Sequence, residues 1–161
     1  MSNESLSQRL RRNAGLKKYL SELESLTGRV VRSDELSDID QAVATRQVAQ
    51  RFRSQQPTSV DMPFSERLSE RFAKFVRRLY EANPCPVSIW TPRTIDCGVF
   101  VVPSILSVRF DFDYSINDDG IFSFLSEGVD DRLVLDFFEE NDGEQVLRVE
   151  TNGVNWRDVA Y

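Results

Sequence analysis

The residues best suited to chemistry in this chain are carboxylates, and they are concentrated in its second half. Residues 1–82 carry 15 Lys and Arg against 11 Asp and Glu, a net charge of +4. Residues 83–161 carry 5 Arg, no Lys and 15 Asp and Glu, a net charge of −10. Because a surface of one charge sign attracts oppositely charged molecules, this asymmetry predicts a positively charged partner.

Two of these carboxylates have a spacing that could also hold a divalent metal ion. Asp111 and Asp113 flank Phe112, and in a strand they would lie on one face about 7 Å apart. Such a pair could bind Mg²⁺ for phosphoester hydrolysis. However, the second half has no lysine, so the carboxylate-plus-lysine arrangement of many nucleases cannot form there. We predict no metal, no cofactor and no catalytic residue, and keep a metal-dependent phosphoesterase as the third alternative.

The chain contains no histidine and two cysteines, Cys85 and Cys97. This composition excludes Ser-His-Asp and Cys-His nucleophilic machinery within the chain, as well as zinc or iron sites that use imidazole. Two thiolates are too few for a structural zinc site of the all-cysteine type. We expect the cysteines to be reduced thiols, although their spacing leaves their redox state open.

Apolar spacing predicts about three helices in the first half. Residues 16–23 repeat leucine and tyrosine at helical intervals, and Gly28 is a suitable stop. A second helix should begin near Ser33 or Asp34, either of which is a good N-cap. The third helix, over residues 68–79, has the clearest apolar face.

Beyond Pro84 the apolar period changes from helical to two, which is typical of strands. Residues 106–114 alternate most regularly and predict a half-buried antiparallel strand. Residues 55–63, with two prolines, predict a loop. Strands are expected at residues 87–90, 97–102, 106–114, 121–125, 133–138 and 146–151.

These elements predict an α+β fold, with about three N-terminal helices packed on one face of a C-terminal antiparallel β-meander of five to six strands. The length suits one domain over residues 1–161, helical over 1–83 and a sheet over 84–161. The N-terminal residues lack the apolar stretch of a signal peptide, and no segment has the length of a membrane span, so we expect a cytoplasmic protein without a membrane partner.

The carboxylates would then form an acidic face on the open side of the sheet, rimmed by acidic turns. Arginines on the same strands could pair with these acids, and solubility alone would also explain such a face. The predicted partner-binding residues are Asp111, Asp113, Asp136, Glu150, Asp118, Asp119, Asp130, Asp131 and Trp156. Trp156 would act as an aromatic anchor, a role that Tyr161 could also fill.

A basic stripe on the third helix suggests a different function. Arg67, Arg71, Lys74 and Arg78 recur at helical intervals and could neutralise phosphates, which makes a nucleic-acid-associated or regulatory protein the second alternative. Glu70 lies four residues before Lys74, as in a helix-stabilising pair. The sequence pI near 4.8 also disfavours nucleic acid as the partner.

The composition and architecture fit those of bacterial immunity proteins, which neutralise toxins that hold nucleic acid with Lys and Arg. We therefore predict a non-enzymatic, acidic, immunity-type protein. It would bind a basic, toxin-like partner, such as a nuclease, and occlude its active site. Neither the partner's identity nor the oligomeric state follows from the sequence.

Overall fold

The computed structural model describes residues 4–161, which combine helices, most of them in the first half, with a six-stranded sheet. The helices are α1 (Leu6–Thr27), α2 (Ile39–Ala49), α3 (Glu70–Ala82) and the one-turn α4 (Thr94–Cys97). The strands are β1 (Thr58–Pro63), β2 (Val87–Trp90), β3 (Phe100–Val102), β4 (Ile121–Ser126), β5 (Asp131–Glu139) and β6 (Gln145–Gly153). Their order is β1-β6-β5-β4-β2-β3, with every neighbouring pair antiparallel. The predicted α+β class is confirmed.

Polar side chains and one glycine set the helix ends. Asp38 and Ser69 accept hydrogen bonds from backbone N–H groups in the first turns of α2 and α3. Gly28 ends α1 in the left-handed region, with φ of 71°. The second helix does not begin near Ser33 or Asp34 as expected, because these residues form a separate 3₁₀ turn.

The main hydrophobic core lies between one face of the sheet and helices α1 and α3. Phe122 and Phe124 of β4 and Leu133 and Leu135 of β5 point into it and are completely buried. The helical side is lined by Tyr19, Leu23 and Leu26 of α1 and by Phe72, Phe75, Val76 and Leu79 of α3. Burial of each such side chain stabilises the fold by roughly 1.5–3 kcal/mol.

The opposite face of the sheet is also partly covered. Helix α2 and the 3₁₀ turn Gln50–Ser54 lie over its β2–β4 side, where a cavity is lined by both α2 and β4. Phe52 of that turn is buried, and the Arg132 guanidinium on β5 lies 5.1 Å from its ring centroid. Helices therefore pack on both faces, and only the β5–β6–β1 part of the second face stays open.

The strand predicted at residues 106–114 is wrong. Its central residues 108–113 cross the core face without joining the sheet, and its two ends lie in 3₁₀ turns, Ile105–Ser107 and Tyr114–Ile116. Its alternation is real, since Phe110 and Phe112 pack against aromatic rings of β4. Its backbone finds partners outside the sheet: Arg109 N–H donates to the Leu26 carbonyl at 2.7 Å.

The sixth strand comes instead from the predicted loop at residues 55–63. β1 pairs with β6 in a register that sets Val60 opposite Val149. Pro63 is tolerated because it lies at the end of a strand on the sheet edge. The two prolines therefore do mark the ends of an element, but the residues between them form a strand and not the predicted loop.

Candidate functional site

The open part of the second sheet face carries alternating charges from β1, β5 and β6. Asp136 and Glu150 lie on this face, and each is half-buried. In the strand register Asp136 is opposite Arg148, and Arg148 is in turn opposite Asp61. Asp136 and Glu150, which the sequence predicted to share a face, therefore do lie on the same face.

Arg148 is the central cation of this face, and one carboxylate holds it in place. Its Nε and Nη2 donate to the two oxygens of Asp61 at 2.8 and 3.0 Å, a bidentate pair. These hydrogen bonds lower the pKa of Asp61 and raise the pKa of Arg148. The guanidinium also lies 5.1 Å from the ring centroid of Phe138. Because Arg148 is committed to Asp61, Asp136 and Glu150 beside it are left without an ion pair.

The turn between β5 and β6 extends the acidic surface beyond the sheet. It bears four exposed carboxylates: Glu139, Glu140, Asp142 and Glu144. The Asp142 carboxylate accepts the Glu144 backbone N–H at 3.0 Å, which fixes the turn. Residues 133–147 contain no Lys or Arg.

We call these four residues, together with Asp136 and Glu150, the acidic hairpin. None of the ion pairs formed within residues 4–161 includes any of the six. With Asp61 added, this surface presents seven carboxylates around the single guanidinium of Arg148. The surface formed by the β5–β6 hairpin and Asp61 is therefore strongly negative.

Asp111 and Asp113 do not belong to this face. Both are exposed, but they lie on the extended segment that crosses the opposite, core side of the sheet. Asp111 is paired with Arg109, whose Nη2 lies 2.7 Å from its Oδ2. The two residues were assigned to the acidic face because residues 106–114 were expected to form a strand, and that assignment fails with the strand.

The predicted acidic turns are partly neutralised. Asp118 lies 3.4 Å from the Lys18 ammonium, and Asp130 lies 3.6 Å from the Arg51 guanidinium. Asp119 is exposed beside Asp118. These exposed pairs reduce the negative potential at the turns that precede β4 and β5.

Asp131 and Trp156 are completely buried, so neither can contact a partner. The Asp131 carboxylate accepts four hydrogen bonds: from Asn83 Nδ2, Asn155 Nδ2 and the backbone N–H groups of Asn155 and Trp156. The Trp156 indole donates to the Leu79 carbonyl at 3.0 Å. Both residues connect the end of α3 to the sheet and to the C-terminal segment.

The arginines of the predicted basic stripe are occupied within the protein, and Arg67 lies in the 3₁₀ turn Phe64–Leu68 that precedes α3. Arg67 donates to the Phe112 carbonyl at 2.7 and 3.1 Å, and Arg78 donates to the Ala160 carbonyl at 2.6 Å. Arg71 lies 4.4 Å from the ring centroid of Tyr161. These arginines anchor neighbouring segments, which accounts for their helical spacing without nucleic acid.

Tyr161, the other expected anchor, packs its ring against Phe75, and its hydroxyl donates to Glu66 at 2.6 Å. Phe138 is the aromatic residue that does lie on the open face, half-buried beneath Arg148. Sequence reasoning missed it because it did not assign Phe137 and Phe138 of the predicted strand 133–138 to separate faces. The strict two-residue period could have separated them, since Phe137 and Phe138 must point to opposite faces.

Both cysteines are free thiols, and burial raises the pKa of the Cys97 thiol to about 11. Within residues 4–161, no three Cys, Asp or Glu side chains are placed so that they could hold a metal ion. No helix in the described part of the chain has both the length and the apolar character needed to cross a membrane.

Comparisons with models of protein families, with curated proteins and with solved structures gave no match.

Proposed function

We propose that this protein binds a basic partner protein through the acidic hairpin, as an immunity-type inhibitor that blocks the active site of a toxin-like partner. The observation that supports this proposal is the set of six carboxylates that take part in none of the ion pairs formed within the described residues. Asp136 and Glu150 still interact with the charge of Arg148, whereas the four acids of the turn lie in a stretch without Lys or Arg. Exposed acids elsewhere in the second half, at Asp111, Asp118 and Asp130, each have a basic neighbour.

The arrangement suits electrostatic steering followed by docking. The exposed turn acids reach furthest from the sheet and would meet a cationic surface first, which raises the association rate. Phe138 then supplies an apolar contact at the centre of the face, surrounded by charges, which is the usual anatomy of a protein interface. A complex of this kind would bury on the order of 1,600 Å².

Neutralisation of the turn provides the test. The variant changes Glu139, Glu140 and Glu144 to Gln and Asp142 to Asn. A matched control neutralises four exposed acids outside the hairpin: Glu24, Glu81, Glu127 and Asp158. Both variants change the net charge by the same amount, so only the location of the removed charge differs.

The immobilised protein is first used to isolate a basic binding partner from its own cells, and the purified pair is then studied by stopped-flow kinetics. We expect the hairpin variant to associate at least about tenfold more slowly at low ionic strength, whereas the control keeps the wild-type rate. Stoichiometric addition of the wild-type protein should abolish the partner's own activity.

Equal association rates for both variants, or a wild-type rate that does not change with salt, would remove the electrostatic argument. A partner that binds tightly but keeps its full activity would separate binding from inhibition and leave only the binding part of the proposal.

A further inference from the structure

A cavity of about 250 Å³ lies where α2 covers the second face of the sheet. Its apolar walls are formed by Ala49 of α2, Trp90 at the end of β2, Pro92 shortly after that strand, and Ile121 and Leu125 of β4. It is separate from the acidic hairpin, since none of the six hairpin residues lines it. Its size is at the small end of ligand pockets.

The charged groups of this cavity have the opposite sign to most of the second half. Arg46 of α2 and Arg132 of β5 line it, and none of its nine lining residues is Asp or Glu. Neither arginine takes part in the ion pairs formed within residues 4–161. Both arginines thus line an apolar cavity without forming an ion pair, and Glu150 is the acid that attracts Arg132.

Arg132 is held in position but incompletely satisfied. Its Nη2 donates to Asn152 Oδ1 at 3.0 Å, and its guanidinium lies over the ring of Phe52. Its Nε is buried without a hydrogen-bond partner in the described residues. Burial disfavours the charged form of Arg132 and Glu150 offsets this only in part, so an anion that entered the cavity would offset it further.

We propose that this cavity binds a small organic carboxylate. Its charged group contacts Arg46 and Arg132, and its aromatic or aliphatic body lies against Trp90 and Leu125. Guanidinium groups favour carboxylates because they can donate two parallel hydrogen bonds. The indole of Trp90 offers a flat apolar surface to a ring, and its N–H already donates to Ser88 Oγ at 2.9 Å.

Two tryptophan side chains make the test direct. Phenylacetate, benzoate and hexanoate are each titrated into the full-length protein while the two indole N–H signals are followed by NMR. The Trp90 signal should move with at least one acid, and the signal of the completely buried Trp156 should stay in place. Phenylacetamide, the neutral counterpart of phenylacetate, should bind about tenfold more weakly.

Two variants test which arginine contacts the carboxylate of the bound acid. Arg46→Gln should weaken binding of the acid about tenfold, because Arg46 is exposed and its loss leaves the core intact. The control is Arg77→Gln, which changes an exposed arginine on α3, away from the cavity, and should leave the affinity for the acid unchanged. The proposal is overturned if none of the three acids moves the Trp90 signal at millimolar concentration, if the amide binds as well as the acid, or if Arg46→Gln keeps full affinity.

Discussion

Replacement of Asp131 by alanine should destabilise the protein more than any other change to its carboxylates. The carboxylate is completely buried and accepts four hydrogen bonds at 2.7–3.0 Å. Its Oδ1 receives two backbone N–H groups, from Asn155 and Trp156, and its Oδ2 receives the side-chain amides of Asn83 and Asn155. The backbone donors cannot turn away to another partner.

The magnitude follows from which donors lose their acceptor. Each buried N–H left without a partner costs about 1–3 kcal/mol, and the two amide side chains can partly recover by turning toward solvent. We therefore expect Asp131→Ala to lower the free energy of unfolding by about 3–5 kcal/mol. Asp131→Asn keeps one carbonyl oxygen for the backbone pair, so about 1–2 kcal/mol is expected.

Urea denaturation followed by tryptophan fluorescence measures both changes, since Trp156 bonds directly to the site. Asp119→Ala, at an exposed acid in a nearby turn, is the control and should change stability by less than about 0.5 kcal/mol. A loss for Asp131→Ala no larger than that of the control would refute a structural role for the carboxylate. Such a result would instead favour the original prediction that Asp131 lies on the surface.

Four further substitutions test other positions: a buried acid, two glycines and a residue with positive φ. Burial raises the pKa of Glu22 above its ordinary value of 4.5, so the folded state binds its proton more tightly and stability falls as pH rises through that interval. Glu22→Gln removes this loss, so its stability relative to wild type should increase as the pH rises above about 4.5, measured by urea titrations at a series of pH values. Gly98→Ala should cost at least about 2 kcal/mol, because φ is +104° and the new Cβ would lie 2.2 Å from the Ser37 carbonyl oxygen. Gly15→Ala in α1 meets only ordinary contacts and should instead stabilise by about 0.5–1 kcal/mol. Val129 has φ of 57°, a region that β-branched side chains rarely adopt and asparagine adopts more readily. Val129→Asn should therefore increase the free energy of unfolding by about 1 kcal/mol, which is measured as a higher thermal midpoint.

Each of these has a contrary result. A pH profile that Glu22→Gln leaves unchanged would mean that the carboxylate is solvated in the folded state. Equal stabilities of the two glycine variants would contradict the close approach at Gly98. A lower thermal midpoint for Val129→Asn would show that the valine side chain contributes more by packing than its backbone conformation costs.

The sequence was sufficient for the parts of the fold that depend on local pattern. Helix α3 follows from its apolar face and its stop before Pro84, and β4, β5 and β6 follow from turns rich in Asn, Asp and Gly. These signals act over a few residues. The four turn acids of the acidic hairpin are local in the same way, because a turn with four acids and no nearby base is visible in the chain itself. The predicted partner-binding residues nevertheless did not include them.

Residues 106–114 show where local pattern stops being informative. Their alternation correctly predicted that Val108 and Phe112 are buried, but Leu106 is 49% exposed, and period two describes any extended segment with one buried side. Both edges of β4 are already paired, with β2 and β5, so this segment lies across the core instead. Asp111 and Asp113 were misplaced for that reason alone.

Whether each carboxylate is buried, paired or exposed depends on contacts between residues that are far apart in the chain. Asp131 and Asp136 belong to one strand and look equivalent in the sequence, yet one is buried and the other lies on the open face. Asp131 meets Asn83 and Asn155 only after α3 and the C-terminal segment have docked. The sequence by itself determined that the second half is acidic and forms hairpins. Only the tertiary structure decided which acids stay exposed, because neutralising partners and buried hydrogen bonds come from distant segments that folding brings together.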